Sequence, residues 1–315
     1  MKGIYLKSKY NLINFRKKNE EDFSVKECKI CNSTERKLRY SIGYYDVVEC
    51  NNCGVIFLDL YRDFDISKLY SSDYYLEREE YYLKNCIVDP SCRIENPNIL
   101  DFRKGLNFIE SFKKTGRLLD VGCGIGIFLF MAKEKGWDVF GIDVSDYAAN
   151  FAKERFGIDC FVGSLKKANF PDNHFDVITL WDVIEHFENP LEELEEIRRI
   201  LSDDGVILFD TPNVESLMRQ IAHWIYVLTG GIFKYPVKKL YHHFHLYYYS
   251  PRTLRMLLDK AGFEIIEMRK KTIPITKARG NRMEKLIVKV LSILEKATNR
   301  EYELFVIARK TKTIC

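Results

Sequence analysis

Three groups of residues in this 315-residue chain have the types and spacing to do chemistry. The first is four thiols: Cys28 and Cys31 in CKIC, and Cys50 and Cys53 in CNNC, with 18 residues between the pairs. Two C-x-x-C pairs so spaced suit a tetrahedral four-cysteine zinc site, each pair forming one knuckle. Four thiolates leave no open position, so the zinc is structural rather than catalytic. The second group is the glycine-rich LLDVGCGIG, in which Asp120 is followed by Gly122, Gly124 and Gly126. Glycines after a strand let backbone N–H groups approach a ligand. Dinucleotide-binding loops read G-x-G-x-x-G and carry a pyrophosphate on the helix N-terminus. Here the third glycine comes one residue early and a carboxylate stands at the strand end. That carboxylate repels a pyrophosphate but holds an ammonium, which favours S-adenosylmethionine (AdoMet), a sulfonium with an amino group at its methionine end. Asp143, 17 residues after Gly126, closes the next strand. A carboxylate there suits a bidentate hydrogen bond to two ribose hydroxyls, in NAD and AdoMet sites alike.

The third group is Asp182, Glu185 and His186, with His245 a further 59 positions on. His186 has the chemistry of a general base that takes a proton from an acceptor hydroxyl as it attacks a sulfonium methyl, since imidazole titrates near neutrality. Alternatively, two carboxylates and two imidazoles suit a divalent cation such as Mg2+, which lowers the pKa of a bound hydroxyl. A third reading is structural: Glu185 and His186 only shape the loop. His242 and His243 read as surface or structural residues.

The elements that must position these groups alternate between strand and helix from residue 117 onward, which argues for a mainly parallel sheet. Strands are expected at 118–121, 137–142, 159–162, 175–180, 205–209, 263–268 and 303–308. Ser145 caps a helix that Gly157 stops, Pro190 opens another, and Ser250-Pro251 begins a third that ends at Gly262. A helix over 99–112 precedes the glycine loop and packs on the sheet. In an open α/β sheet, ligands bind outside the carboxyl ends of the strands, so the loop from Trp181 to His186 faces the methyl donor. Ahead of these lie a basic arm (1–25), the ribbon (26–60) with strands at 37–42, 45–49 and 54–58, and a tyrosine-rich connector (61–97) that packs against the main domain. The main domain spans 98–315. An insertion at 214–249 holds a nearly apolar stretch, 221–233, too short to span a bilayer. It reads first as a lid over the substrate, otherwise as an interfacial helix touching a membrane surface or as a dimer contact. The basic residues of the tail helix, 283–296, read as a solvated face. Cys86, Cys92, Cys123, Cys160 and Cys315 lack metal spacing and are expected to be free.

Composition bounds the rest. With 46% hydrophobic and 30% charged residues, the chain can bury a sizeable core. A net charge of +4 is too small at this length to argue for nucleic acid, and there is no dense basic stripe with interleaved aromatics along which a nucleic-acid strand could run. No run of 18 apolar residues and no signal-peptide pattern occurs. Metal-type cysteine spacing, rather than a disulfide framework, fits a reducing cytoplasm.

LDVGCGIG followed by GIDVS resembles motif I and the second-strand acidic motif of class I AdoMet-dependent methyltransferases. FPDNHFDVITLWDVIEHFENP and the segment 243–254, HFHLYYYSPRTL, resemble motifs of a wide class that includes the ubiquinone O-methyltransferases. The pattern covers residues 25–310, ribbon included. The resemblance implies an α/β fold with a Rossmann-like seven-stranded sheet, mostly parallel with its last strand antiparallel, behind a small N-terminal zinc ribbon. It implies cofactor contacts at Asp120, Gly122, Gly124, Gly126, Asp143, Val144, Leu165 and Trp181, and chemistry at Glu185, His186 and His245. The ubiquinone enzymes, and those that methylate the 3′-terminal ribose of small RNAs, carry E-x-x-E-H in this loop; here the first position is Asp182, one methylene shorter. The function expected is methyl transfer from AdoMet to a small-molecule hydroxyl: a quinone-like compound, a sugar or a glycan precursor. Two alternatives stand beside it, a metal-dependent RNA ribose methyltransferase and a non-catalytic AdoMet-binding scaffold. The acceptor and the oligomeric state are not written in the sequence.

Overall fold

A computed structural model describes residues 27–43, 45–60, 97–272 and 282–311. The arm at 1–25, most of the tyrosine-rich connector, and Cys86, Cys92 and Cys315 lie outside the described residues.

Seven strands form the central sheet: β4 (Arg117–Val121), β5 (Asp138–Asp143), β6 (Cys160–Val162), β7 (Phe175–Trp181), β8 (Leu201–Pro212), β10 (Phe263–Lys271) and β11 (Glu303–Lys310). Their order is β10-β11-β8-β7-β4-β5-β6. The pairs among β4, β5, β6, β7 and β8 are parallel, whereas β11 runs antiparallel to both β8 and β10. Strand β4 is an interior strand, with Leu119 opposite Phe140 on one side and Ile178 on the other. Strands covered on both faces read as continuous apolar runs, and Leu118, Leu119, Val177, Ile178, Ile207 and Leu208 are all fully buried.

The helices form a layer on each face. On one side, α1 (Pro97–Phe112), α2 (Ile127–Lys133) and α3 (Asp146–Phe156) bring Leu106, Ile109, Phe128, Leu129 and Ala152 onto the sheet. The Ser145 side chain accepts from the Ala148 N–H at the start of α3, and Gly157 ends it in the left-handed conformation. The short α4 (Leu165–Ala168) follows β6. On the other side, α5 (Pro190–Ile200) and α8 (Pro251–Lys260) bury Leu194, Ile197, Ile200, Leu254, Leu257 and Leu258. A capping box between Ser250 and Thr253 fixes the start of α8.

The N-terminal sheet departs from a free-standing ribbon. Strands β1 (Arg36–Ser41), β2 (Tyr45–Cys50) and β3 (Ile56–Leu60) are joined by a fourth, β9 (Tyr247–Tyr248), with Ile56 opposite Tyr248 and Phe57 opposite Tyr247. Cys28, Ile30, Val48 and Phe57 share one continuous core with Leu246, Tyr249 and Leu257. Lys260 Nζ also donates to the Ile30 carbonyl (2.8 Å).

The insertion differs from the expected lid as well. Its helices α6 (Leu217–Leu228) and α7 (Tyr235–Leu240) lie on the other face of the ribbon, where Ala222, Val237 and Tyr241 pack against Tyr40, Val47 and Leu58. Of the apolar residues of 221–233, Ala222 and the half-buried Tyr226 belong to the ribbon core, whereas Trp224, Val227, Leu228, Ile232 and Phe233 are exposed.

Candidate functional site

The cleft at the carboxyl ends of the strands is lined by α1 (Asn98, Asp101, Phe102), the loop from Asp120 to Phe128, and Trp181, Asp182 and Asp210. Gly122 has a positive φ, and a Cβ there would stand 2.6 Å from Val183 Cγ2, so only glycine lets the loop after β7 close over the loop after β4. Gly124 N–H donates to Asp143 Oδ2 (2.8 Å) and Ser145 N–H to Asp143 Oδ1 (2.9 Å). The carboxylate thereby ties the glycine loop to the end of β5, and each oxygen retains acceptor capacity. Asp120 is buried and accepts from Thr179 Oγ1 (2.6 Å). Burial, aided by Asp143 and Asp210, pushes its carboxyl up to about 8 against the pull of the Thr179 hydrogen bond. Trp181 forms the apolar wall: its ring meets Phe102 and Phe128 edge-on at 5.0 and 5.2 Å, over Gly105, where a Cβ would clash.

Beyond Trp181 the chain turns sharply. Asp182 has φ 54°, an uncommon conformation for a residue with a side chain, and its N–H donates to Asp210 Oδ1 (2.8 Å). Asp210 is in turn held by Lys271 Nζ (2.5 Å), which also meets Glu303 (3.0 Å) and Asp101 (3.1 Å). Burial alone would lower this ammonium's pKa; the carboxylates Asp210, Glu303 and Asp101 outweigh it and hold the pKa well above the ordinary lysine value. Lys271, on β10, is a residue that sequence reasoning missed. Its only signal there was its place in the basic run Arg269-Lys270-Lys271, past the expected end of the strand at 268.

A 3-10 turn, Ile184–His186, follows. It brings Glu185 and His186 to His245, their ligand atoms all lying within 4.8 Å of one another. Glu185 is fully buried: Thr211 Oγ1 donates to its Oε2 (3.1 Å), His245 Nε2 stands 3.8 Å from Oε1, and Oε1 has no hydrogen-bond partner. Burial, with Asp182 and Asp210 nearby, drives this carboxyl well above its ordinary value. Burial, with His242, His186 and Arg219, drives His245 well below its own. Both groups are thus pressed toward their neutral forms, as expected where water is excluded. His186 Nδ1 lies 2.5 Å from the Phe244 carbonyl. A carbonyl only accepts, so Nδ1 carries the proton and the neutral ring has its lone pair on Nε2. The Leu246 N–H to Glu185 carbonyl bond (2.8 Å) locks the two loops together. His186 and His245 are therefore neighbours, their ring centroids 4.8 Å apart, despite their distance in sequence.

Asp182 does not join this group. It faces the cleft instead, so the four-residue set expected for a cation reduces to Glu185, His186 and His245. Of the expected cofactor residues, Asp120, Gly122, Gly124 and Trp181 line the cleft and Asp143 braces it. Gly126 is the left-handed N-cap of α2, where a Cβ would stand 2.8 Å from that of Ala152. Val144 is exposed beyond Asp143, and the Leu165 side chain is in the core rather than on the cleft wall. No residue of 214–249 lines the cleft among the described residues; the insertion's contribution is His245.

At the N-terminal site, Cys28 and Cys53 have sulfurs 3.6 Å apart, and Cys31 and Cys50 3.5 Å. Zinc–sulfur bonds of about 2.3 Å in a tetrahedron place sulfurs roughly 3.8 Å apart, so the four thiols fit that geometry. Each knuckle turns on a left-handed residue after its second cysteine, Asn32 (φ 59°) and Gly54 (φ 80°). Asn32 N–H donates to the Cys28 carbonyl, and Gly54 N–H to that of Cys50. A hydrogen bond from Cys53 draws the Cys28 thiol down to about 5. Cys123 and Cys160 are free, with sulfurs 3.6 Å apart.

A sequence profile of a family described as methyltransferase domain matches residues 97–268, more than half of the chain. The chain is 29% identical over 170 residues to the ubiquinone biosynthesis O-methyltransferase of Saccharophagus degradans, covering 51% of this chain and 69% of that one. It is 28% identical over 165 residues to the protein of that name from Actinobacillus pleuropneumoniae, covering 49% and 68%. A solved SAM-dependent methyltransferase from Archaeoglobus fulgidus shares the fold over 76% of this chain and 100% of its own, with a TM-score of 0.50 and 22% identity. The chain therefore belongs to the methyltransferase-domain family and is an AdoMet-dependent methyltransferase.

Proposed function

We propose that the enzyme transfers the AdoMet methyl group to a hydroxyl of a small molecule, a quinol-like ring, a sugar or a glycan precursor, and that Glu185, His186 and His245 activate that hydroxyl. One observation carries the reading. A buried carboxylate and two imidazoles converge one turn beyond the cofactor cleft, and one carboxylate oxygen there has no hydrogen-bond partner. Such a group is costly to bury unless something charged completes it. Glu185 Oε1, His186 Nε2 and a ring nitrogen of His245 are the donors that would hold a divalent cation such as Mg2+. A cation so bound lowers the pKa of a coordinated hydroxyl. The names of the relatives, ubiquinone biosynthesis O-methyltransferases, favour oxygen as the methyl acceptor.

A second reading has its own support. The Phe244 carbonyl fixes the tautomer in which His186 Nε2 accepts a proton. In that case His186 is the general base and His245, kept neutral beside Glu185, positions it. A chelator separates the two: it abolishes turnover in the first and leaves it unchanged in the second.

In the same reading, Asp120 receives the AdoMet amino group, Asp143 the ribose hydroxyls, and Trp181 walls the pocket, with Gly122, Gly124 and Gly126 bringing the backbone close. Val144 and Leu165 contribute through their main chain. Cys28, Cys31, Cys50 and Cys53 hold one structural zinc, and the thiols imply a reducing cytoplasm. Residues 26–60 are the ribbon and 98–315 the catalytic domain. The test is to incubate the protein with methyl-labelled AdoMet and fractionated cell extract, split into RNA, protein, lipid, glycan and small-metabolite pools. Label recovered as a methyl ether in a lipid, glycan or small-metabolite pool is expected. Label in RNA would instead favour ribose methylation, and AdoMet binding without transfer to any pool would favour a scaffold.

A further inference from the structure

Helix α9 (Arg282–Thr298) is amphipathic the wrong way round for a surface helix of a water-soluble domain. Its glutamates turn inward: Glu295 is buried and accepts from the Met218 N–H on α6 (3.4 Å), and Glu284 accepts from Tyr235 and from Lys239 Nζ (2.9 Å) on α7. Most of its apolar residues turn outward, Val288 and Leu291 being half-buried beside the glutamates. Met283, Leu286, Ile287, Val290, Ile293 and Leu294 recur at helical spacing and are between 45% and 66% exposed. The stripe runs for about 16 Å along the helix.

These contacts set α9 antiparallel to α6, with its start beside α7 and its end beside the start of α6, where Leu217 N–H donates to the Arg300 carbonyl (2.9 Å). The far end of α6 and the loop after it continue the apolar surface with Trp224, Leu228 (81% exposed), Ile232 (88%) and Phe233. Twelve of the eighteen large apolar side chains exposed among the described residues lie on α9 or between Trp224 and Tyr235. Scattered exposed apolar residues need no explanation; a contiguous surface of this kind marks an interaction site.

The charges select the occupant. Every exposed charged residue of α9 is basic, Arg282, Lys285, Lys289 and Lys296, and at 100° per residue they form one row beside the apolar stripe. Lys234, exposed between Phe233 and Tyr235, adds to it. A second copy of the chain paired antiparallel and face to face would bring like rows together. An anionic bilayer satisfies both features at once, taking the stripe into the acyl boundary and the lysines at the headgroups. The segments are too short to cross: no helix among the described residues is long and apolar enough to do so. We infer that the α6–α9 face docks the enzyme in the plane of a membrane carrying anionic phospholipids. The inference rests on this face alone and is independent of which acceptor is methylated.

Sedimentation of the full-length protein with lipid vesicles tests it. Vesicles of phosphatidylcholine alone are compared with vesicles containing phosphatidylglycerol, at low and high salt. Wild-type protein should partition onto the anionic vesicles at least tenfold better than onto the neutral ones, and less so at high salt. Leu286→Asp with Ile293→Asp should lower that binding by a factor of ten or more. Lys285→Glu with Lys289→Glu should lower it by about twenty-fivefold or more, since each lysine near an anionic surface counts for about fivefold. All four positions are exposed, and an unchanged thermal shift with AdoMet shows that each variant is folded. Wild-type protein remaining in the supernatant with anionic vesicles would overturn the inference, as would binding that ignores the lysine changes. A lipid-free dimer that Leu286→Asp converts to monomer would overturn it too, assigning the face to a second copy.

Discussion

Replacing Asp120 by asparagine should abolish the pH dependence of AdoMet binding. The carboxyl is 2% exposed, its one short side-chain partner is Thr179, and burial pushes it up to about 8. The sign of the effect follows from that value. Between about pH 4 and 8 the folded protein holds a proton here that the unfolded chain, with an ordinary carboxylate, has lost. This group's contribution to stability is therefore present at low pH and is lost as the pH rises toward the folded value. A cationic ligand reverses the preference: if the AdoMet ammonium sits at Asp120, the carboxyl must ionise and binding releases a proton. The apparent Kd then scales as 1 + 10^(8 − pH), so affinity should rise about thirtyfold between pH 5.5 and 7, about 2 kcal/mol. Keeping below pH 7 leaves the ligand's own amino group protonated. Calorimetry in two buffers of different ionisation enthalpy counts the proton directly: close to one released at pH 5.5 for wild type, and none for Asp120→Asn. A flat wild-type profile, or an Asp120→Asn profile that retains the slope, would refute the assignment.

Two further outcomes are expected. Elemental analysis should find one zinc per chain, and Cys28→Ser should lower the melting temperature of the whole chain in a single transition, because the ribbon and the sheet share one core through Phe57, Leu246 and Tyr249; two separate transitions would show an independent module. Lys271→Met should cost roughly 3–5 kcal/mol in urea unfolding, since it strands Asp210, Glu303 and Asp101 without their buried cation, and a loss under 1 kcal/mol would mean that those carboxylates are solvated.

The sheet was legible because its signals are local. Ser145, Gly157, Pro190 and Ser250 mark helix ends by their own backbone chemistry, and every expected strand occurs, with ends shifted by a few residues. The largest shift is β8, which runs from Leu201 to Pro212 where 205–209 was expected. Pairing with β7 and β11 extends it past the polar Asp203 and Asp204, and no local pattern reports that. The glycine loop, Asp143 and the spacing of the four N-terminal cysteines were legible for the same reason. What was not legible depends on distant contacts. Tyr247 and Tyr248 look like any aromatic pair until β3 supplies an edge for them. The 221–233 stretch reads as a lid until the ribbon supplies a partner for Ala222 and Tyr226. The basic residues of the tail helix are exposed, as expected; that most of its apolar residues share the outer side was not legible, because periodicity gives two faces without saying which one is buried, and Glu295 and Glu284 decide that. Asp182 fell out of the cation set because its left-handed turn aims it at the cleft, a conformation fixed by Asp210 and Lys271, 28 and 89 positions away.

The central claim is that Glu185, His186 and His245 act together on the acceptor hydroxyl. The rate of methyl transfer in His186→Ala and in His245→Ala, each measured with chelator and with added Mg2+ or Mn2+, tests it most directly. Both variants should lose turnover by roughly 10²–10⁴-fold while AdoMet affinity is nearly unchanged, and chelated wild type should recover when metal is returned. Full turnover in His186→Ala, with or without chelator, would contradict the account and leave proximity of an already nucleophilic acceptor as the source of the rate.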